Sequence, residues 1–275
     1  MSVRKAKPMR KPVSGTPPWL LPAAFVAGFA LVIAAFFLIR WYTTPTPPAP
    51  LNTDTTQQVV SIITSLPSSE FDSVGQGSAN NLIRPVSGSP LTGSSGNPEV
   101  FYLGAEYCPY CAAERWSVII ALSRFGSFSG LKTTSSSSSD VFPNTPTFTF
   151  HGATYTSQYI EFVSVETTDR NQNRLESPTA AQEQLVTKYD TSNSIPFVDL
   201  GNRYAFAGAT YSPQLLSGRS WQSIATDVQQ PDTAQARAIV GSANLITAAI
   251  CRVTGDRPQS VCSSSSISGI ESRLG

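Results

Sequence analysis

Apolar residues are unevenly distributed along the chain, and the longest apolar stretch lies near the N-terminus. Residues 19–39, WLLPAAFVAGFALVIAAFFLI, contain no charged side chain. As a helix, this stretch is long enough to cross a hydrocarbon core of roughly 30 Å. A buried core helix of that length would usually carry a polar stripe, which is missing here. The pattern therefore predicts a membrane-spanning helix over residues 19–39.

The charges on either side of this stretch predict its orientation. Only Arg40 follows it closely, whereas five basic residues precede it: Arg4, Lys5, Lys7, Arg10 and Lys11. The flank of a membrane-spanning helix that is richer in Lys and Arg usually stays in the cytoplasm. We therefore predict that residues 1–18 are cytoplasmic and that everything after the span is extracytoplasmic. A cleavable signal peptide has a shorter apolar region that ends in a small-residue cleavage site. We therefore expect an uncleaved signal anchor in the cell membrane.

A linker and one further domain follow the span. Residues 40–56 are rich in Pro and Thr, a composition that favours an extended tether over a packed core. The folded domain is expected over residues 57–275. Its first segment, QQVVSIITSL at 57–66, has apolar residues at helical spacing, and 72–98 is predicted to be irregular coil.

Within this domain, segments of strand and helix periodicity alternate, which predicts an α/β fold with helices on the faces of a sheet. We expect a buried strand at 99–105, a helix at 109–125, a mobile serine-rich loop at 132–140 and a hairpin at 147–168 around His151-Gly152. The remaining predictions are a helix at 177–190, two strands at 195–208 that meet at Gly201-Asn202, and helices at 212–228 and 232–251.

Composition and charge limit the function classes. Charged residues make up 13% of the chain, and the net charge is +1. The six basic residues before position 41 leave 13 of 19 for the rest, against all 18 acidic residues, so that part is mildly acidic. Such a surface is not suited to nucleic acid, and we predict no nucleic-acid partner.

The motif CPYC, Cys108 to Cys111, stands where the predicted strand gives way to the predicted helix. The N-terminus of a helix favours a thiolate over a thiol. We therefore predict that Cys108 is the acidic, exposed and attacking sulfur. Cys111, one turn further on, is expected to be partly buried and to resolve a mixed disulfide. Pro109 suits the first helical turn, where its missing N–H is not needed.

A metal or haem site is the alternative interpretation of two close cysteines. Zinc usually takes four ligands, arranged as two close pairs. The other two cysteines are far apart in sequence, and the single histidine, His151, falls in a predicted turn. Ala112 stands where c-type haem attachment needs a histidine. We therefore expect neither a metal nor a cofactor.

Cys251 and Cys262 flank a turn-rich loop at the end of the last long helix. An even cysteine count in an extracytoplasmic domain is typical of disulfide formation. A structural disulfide is the favoured interpretation of this pair. A second redox pair that relays electrons to the first, or two free thiols, are the alternatives.

These segments together resemble a known family. EVFYLGAEYCPYCAAERW, followed later by SIPFVDLGNRY, resembles the thioredoxin superfamily. The resemblance implies a thioredoxin-like fold with insertions. It also implies that Cys108 is the nucleophile, Cys111 the resolving thiol, Pro196 a cis-proline, and Ile195 a backbone partner for an extended peptide. Over most of residues 57–262 the chain resembles the membrane-anchored domain-of-unknown-function 929 family more closely, which implies no particular activity.

One position departs from the thioredoxin pattern. Many thioredoxins carry a buried acid six residues before the first cysteine, and here Tyr102 stands at that position. Glu106 or Glu99 would have to serve as the proton shuttle, with Glu106 the nearer candidate. Tyr107, beside the first cysteine, is expected to line a peptide groove.

The sequence therefore predicts a membrane-anchored extracytoplasmic thiol–disulfide oxidoreductase. Its expected partners are thiols and disulfides of exported proteins and a membrane redox partner that recycles it. Two alternatives stay open: a thiol-based copper-handling protein, since Cu(I) suits thiolates, and a binding module in which CPYC is not catalytic.

Overall fold

The computed structural model describes residues 20–43 and 51–274, which fall into two compact units divided after residue 44. The predicted cytoplasmic segment 1–18, Trp19 and residues 44–50 of the predicted linker lie outside the described residues. The first unit contains a continuous helix, α1 (Leu20–Thr43), over the expected span. Within it, Phe29 and Phe36 are each 70% exposed.

Length and composition alone single out another helix as able to cross a membrane. In the described part of the chain this is Ala234–Thr254, whose side chains are mostly buried inside the second unit, as in a core helix. The N-terminal helix contributes a shorter apolar stretch, Gly28–Thr43. Membrane insertion of residues 19–39 therefore stays a prediction.

The second unit is a mixed α/β structure, which confirms the predicted class at this level. Its strands are β1 (Arg84–Pro85), β2 (Glu99–Gly104), β3 (Gly126–Ser129), β4 (Lys132–Ser135), β5 (Pro146–Thr149), β6 (Thr154–Ser157), β7 (Glu161–Glu166), β8 (Phe197–Leu200) and β9 (Tyr204–Ala207). Its α-helices are α2 (Thr53–Thr64), α3 (Ser68–Val74), α4 (Pro109–Ser123), α5 (Ala180–Tyr189), α6 (Trp221–Asp227), α7 (Ala234–Thr254), α8 (Gln259–Cys262) and α9 (Ser265–Glu271). A short 3₁₀ helix spans Pro213–Leu216.

Five strands form the central sheet in the order β1-β9-β8-β2-β7. Strand β2 runs parallel to β7 and antiparallel to β8. Alternate residues of β2 serve two cores: Val100 and Tyr102 join the large core that contains α4 and α7, while Phe101 and Leu103 join a smaller core with Val186 of α5. Helices therefore cover both faces of the sheet.

Local patterns predict several elements well. Strand β2, helix α4 and the β8–β9 hairpin with its turn at Gly201-Asn202 are confirmed. Helix α2 begins at Thr53, earlier than the predicted start of the domain at 57, because the Asn52 side chain accepts a hydrogen bond from the backbone N–H of Thr55 and caps it. Part of the predicted coil 72–98 is helical, since α3 extends to Val74.

Two predictions in the middle of the domain are wrong. The strands on either side of His151-Gly152 do not form a hairpin, because β5 pairs with β4 and β6 pairs with β3. Residues 132–140 are not a mobile loop either. Lys132–Ser135 is strand β4, and the following loop is held by the N–H of Ser137, which donates to the carbonyl of Tyr107 at 2.8 Å.

Candidate dithiol site

Strand β2 and helix α4 place the two cysteines of CPYC at one edge of the sheet. The strand ends at Gly104, and Cys108 is the N-cap of the helix, with extended backbone angles (φ −75°, ψ 122°). Its sulfur accepts a hydrogen bond from the backbone N–H of Cys111 at 3.4 Å. Pro109 occupies the first helical turn, as predicted. Cys108 is therefore the capping group of α4, in the position where an N-terminal helix field favours an anion.

The antiparallel strand β8 brings Pro196 to the same edge. Leu103 near the end of β2 is paired with Phe197 at the start of β8, so the residues that precede β8 lie beside the turn that carries CPYC. The Ile195–Pro196 peptide bond is cis. The sulfur of Cys108 lies 3.7 Å from the carbonyl oxygen of Ile195.

Burial differs between the two thiols in the predicted order, but Cys108 is not the exposed sulfur that the sequence predicts. Cys108 is 6% exposed and Cys111 is fully buried. The carbonyl oxygen of Ile195, which precedes β8, is one of the atoms that lie close to this sulfur. Cys108 is thus the thiol of this pair that keeps a small solvent-exposed area.

The two thiols also differ in their acidity. The hydrogen bond from the Cys111 thiol lowers the pKa of Cys108 from 9.0 to about 7 against the opposing effect of burial, with help from the Cys111 backbone N–H and the charge of Arg115. Burial raises the pKa of Cys111 well above its ordinary value, and its hydrogen bond to Cys108 acts in the same direction. At neutral pH Cys108 is therefore partly ionised, whereas Cys111 is protonated.

Three buried residues beside the thiols were not predicted as site residues. Arg115 and Glu166 form a fully buried ion pair in which Nε donates to Oε1 at 2.7 Å and Nη2 to Oε2 at 2.6 Å. The guanidinium carbon lies 5.9 Å from the centre of the Tyr102 ring. The only sequence signal for Arg115 is that it and Glu114 are the charged residues of a largely apolar helix, and nothing in the sequence links Arg115 to Glu166.

Glu106, the predicted proton shuttle, is buried next to this group. Its carboxylate accepts a hydrogen bond from the Thr134 hydroxyl at 3.1 Å. Its charge acts to raise the pKa of Glu166, although burial is the larger cause of that shift. Glu99, the other carboxylate considered for this role, is at the opposite end of β2 from the cysteines.

Tyr107 and Ile195, the predicted peptide contacts, are half-buried on either side of Cys108. Tyr110, inside the motif, is 42% exposed and packs edge-on against Phe142 with ring centres 5.9 Å apart. Val141, next to Phe142, is 70% exposed. The surface beside the thiols is therefore partly apolar.

The other two cysteines do not belong to the CPYC site. Cys251 and Cys262 are joined by a disulfide that links α7 to α8. His151 lies in the turn between β5 and β6, where its Nδ1 is 2.6 Å from an oxygen of Glu176. The described part of the chain contains no cluster of three or more His, Cys, Asp or Glu side chains that could hold a metal ion.

Comparison with known proteins gives one match. The family model described as Domain of unknown function (DUF929) matches residues 85–252, more than half of the chain. No curated protein and no solved structure matches the chain. The matched segment contains both cysteines of CPYC, the Arg115–Glu166 pair and Pro196. The chain therefore belongs to the DUF929 family.

Proposed function

We propose that this protein is a thiol–disulfide oxidoreductase of thioredoxin-like fold that is anchored in the cell membrane and acts on exported proteins. The observation that carries the proposal is the asymmetry of the Cys108–Cys111 pair. One sulfur caps a helix, has a lowered pKa and borders on solvent, while the other is buried with a raised pKa. Exchange chemistry needs this division between an attacking thiolate and a resolving thiol.

The surroundings of the pair support the thioredoxin-like assignment. The sequence resembles that superfamily through a strand that runs into CPYC and a proline that begins a later core strand. Here β2 leads into α4, and Pro196 precedes β8, the neighbour of β2 in the sheet. Ile195, with its carbonyl 3.7 Å from the Cys108 sulfur, is placed to offer backbone to an extended client segment.

The reaction balances within the two proteins. The thiolate of Cys108 attacks one sulfur of a client disulfide, a Cys108–client bond forms, and the other client sulfur leaves as a thiolate. Cys111 then loses its proton and attacks Cys108, which releases the second client thiolate and leaves a Cys108–Cys111 disulfide. The client gains two electrons and the protein loses them; the reverse sequence places a disulfide in the client.

The location is part of the proposal. The apolar stretch 19–39 and its basic N-terminal flank favour an anchor with the second unit outside the membrane. Disulfides persist in extracytoplasmic compartments, which fits the Cys251–Cys262 bridge. A client there would be an exported chain whose cysteines are still accessible.

Mixed-disulfide trapping tests the proposed function. Cys111→Ser should accumulate covalent adducts with exported proteins through Cys108, detected as reductant-sensitive bands on a non-reducing gel. The matched control, Cys108→Ser, should accumulate far fewer, because Cys111 is buried and protonated. A copper carrier or a non-catalytic binding module would give no adducts in either variant, and that outcome would reject the proposal.

A further inference from the structure

A buried positive charge lies on the same face of α4 as the two thiols. Arg115 comes four residues after Cys111 and seven after Cys108, which are spacings that stack side chains along one helix face. Its side chain is fully buried. The charge of Arg115 acts to lower the pKa of both Cys108 and Cys111. The cation therefore lies within electrostatic reach of both sulfurs.

Glu166 holds this cation in one orientation. The two parallel hydrogen bonds from Nε and Nη2 fix the plane of the guanidinium. Glu166 is the last residue of β7 and is in register with Gly104, the last residue of β2. The Arg115–Glu166 ion pair therefore lies at the same edge of the sheet as CPYC.

The third nitrogen of the guanidinium, Nη1, has no hydrogen-bond partner among the described residues. Nη1 is buried, and the hydroxyl of Tyr102 is likewise buried and unpaired in the described part of the chain. Unpaired buried polar atoms are unfavourable. A buried ion pair is also no better for stability than well-packed apolar side chains. The stability of the fold therefore does not explain why a charged residue occupies position 115. An electrostatic effect of Arg115 on the thiols of Cys108 and Cys111 does explain it.

We propose that Arg115 is the positioning residue that stabilises the reduced, ionised state of the Cys108–Cys111 pair, so that the disulfide of this protein accepts electrons from client thiols. This rests on the proposed function and assigns its direction. A fixed cation favours the thiolate that appears when the disulfide is reduced, whereas the oxidised pair carries no charge on which the cation could act. Stabilising the reduced state makes a disulfide a stronger oxidant.

The oxidising step is the reverse of the reduction written above. A client thiolate attacks the sulfur of Cys108 in the Cys108–Cys111 disulfide, and Cys111 leaves as a thiolate and takes up a proton. A second client thiolate attacks the client sulfur of the mixed disulfide and releases Cys108 as the thiolate. The client loses two electrons and gains a disulfide, and the protein's own disulfide is the oxidant.

Other charged and titratable groups also face the pair. Glu166 on β7 has the opposite charge to Arg115 and should oppose its effect, and the carboxyl group of Glu106, in the turn before α4, lies near Glu166. Burial raises the pKa of Tyr102 on β2 and of Tyr107, so both are uncharged at neutral pH. The charge of Arg115 acts on both thiols. A change at Arg115 and a change at Glu166 should therefore move the redox equilibrium in opposite directions.

The test is the redox equilibrium of the full chain in detergent with reduced and oxidised glutathione. Arg115→Met combined with Glu166→Gln should make the Cys108–Cys111 disulfide about tenfold less oxidising than it is in Glu166→Gln alone, a change of about 30 mV for a two-electron couple. The double change avoids leaving Glu166 as a buried carboxylate without its cation, and in Glu166→Gln the amide oxygen can still accept a hydrogen bond from Arg115. Glu166→Gln alone should make the disulfide more oxidising. Arg115→Lys, which keeps the charge, should restore most of the wild-type value.

Arg124→Met is the matched control. It also removes one positive charge from α4, but at the C-terminal end of the helix, remote from CPYC. It should leave the equilibrium unchanged. The proposal is overturned if the double variant folds and has the same equilibrium as Glu166→Gln, or if Arg124→Met shifts the equilibrium as much as Arg115→Met does. Client adducts with Cys111→Ser but no effect of Arg115 would reject this inference alone. An Arg115 effect without any client adducts would reject the proposed function instead.

Discussion

At the scale of single residues, the two thiols of CPYC differ because of atoms within one helical turn and one neighbouring strand. Cys108 receives hydrogen bonds from Cys111, whereas Cys111 is enclosed by the core. Ionising one sulfur disfavours ionising the other, since a second negative charge would be buried beside the first. The pair therefore gains its first negative charge, on Cys108, as the pH rises through about 7.

This difference predicts the pH dependence of alkylation. The pKa of Cys108 is lowered from 9.0 to about 7, so its thiolate forms as the pH rises through about 7 and is lost as the pH falls below it. The rate of reaction of the reduced full chain with iodoacetamide should rise with a midpoint near pH 7. Mass spectrometry should place the first modification at Cys108. A midpoint near pH 9, or initial modification of Cys111, would contradict the assignment of the attacking sulfur.

The lowered pKa of Cys108 also makes the stability of the folded protein depend on pH. A lowered pKa in the folded state means that the reduced protein gains stability as the pH rises from about 7 toward 9, where an unfolded thiol would also ionise. The disulfide form has no thiol to titrate. The oxidised protein should lack this part of the pH dependence.

At the scale of secondary-structure elements, sequence patterns predicted correctly those helices, strands and turns that depend on interactions between neighbouring residues. The strand before CPYC, the helix after it and the turn at Gly201-Asn202 each follow from apolar spacing or turn residues within a short window. The pairing of β5 with β4 and of β6 with β3 does not, because those partners are chosen by contacts with distant strands. The sequence around His151-Gly152 has a hairpin pattern that the tertiary pairing overrides.

The buried charges of α4 show the same limit. Arg115 finds its partner Glu166 51 residues later, and Glu114 finds the Thr210 backbone N–H 96 residues later, at 2.8 Å. The sequence presents both as charges on a helix, where a solvent-exposed face is the usual interpretation. Only the sheet and the packing of α7 bring their partners into place.

The disulfide between α7 and α8 gives a prediction at this scale. It closes a loop with a sequence separation of 11, and both cysteines are buried. Replacing Cys251 and Cys262 with Ala should lower the free energy of unfolding by about 3 kcal/mol in the chain-entropy model. Urea unfolding of the full chain in detergent, followed by tryptophan fluorescence, measures the change.

The same variant separates a structural bridge from a redox relay. If the bridge is structural, the Cys251→Ala and Cys262→Ala protein should still form client adducts when combined with Cys111→Ser. An unchanged free energy of unfolding, together with loss of turnover in the otherwise intact protein, would instead favour a second redox pair.

At the scale of the whole second unit, the order of strands explains why the site lies where it does. Strands β2 and β7 are parallel, so their last residues, Gly104 and Glu166, meet at one edge of the sheet. Strand β8 is antiparallel to β2, so it starts at that edge, just after Pro196. Three features that are far apart in sequence therefore lie close together: the turn with Cys108, the Arg115–Glu166 ion pair and the carbonyl of Ile195.

The proposed topology of the whole molecule is tested by labelling cysteines from outside the cell. Positive flanks stay in the cytoplasm, so residue 14 should be inside and the exposed Thr187 of α5 outside. In a chain with Cys108→Ser and Cys111→Ser, an impermeant maleimide should label Thr187→Cys on intact cells, whereas Ser14→Cys should be labelled only after lysis. Labelling of position 14 on intact cells, or protection of position 187, would mean that the second unit does not face exported proteins. The client class would then have to be sought in the cytoplasm, where the Cys251–Cys262 bridge would be unusual.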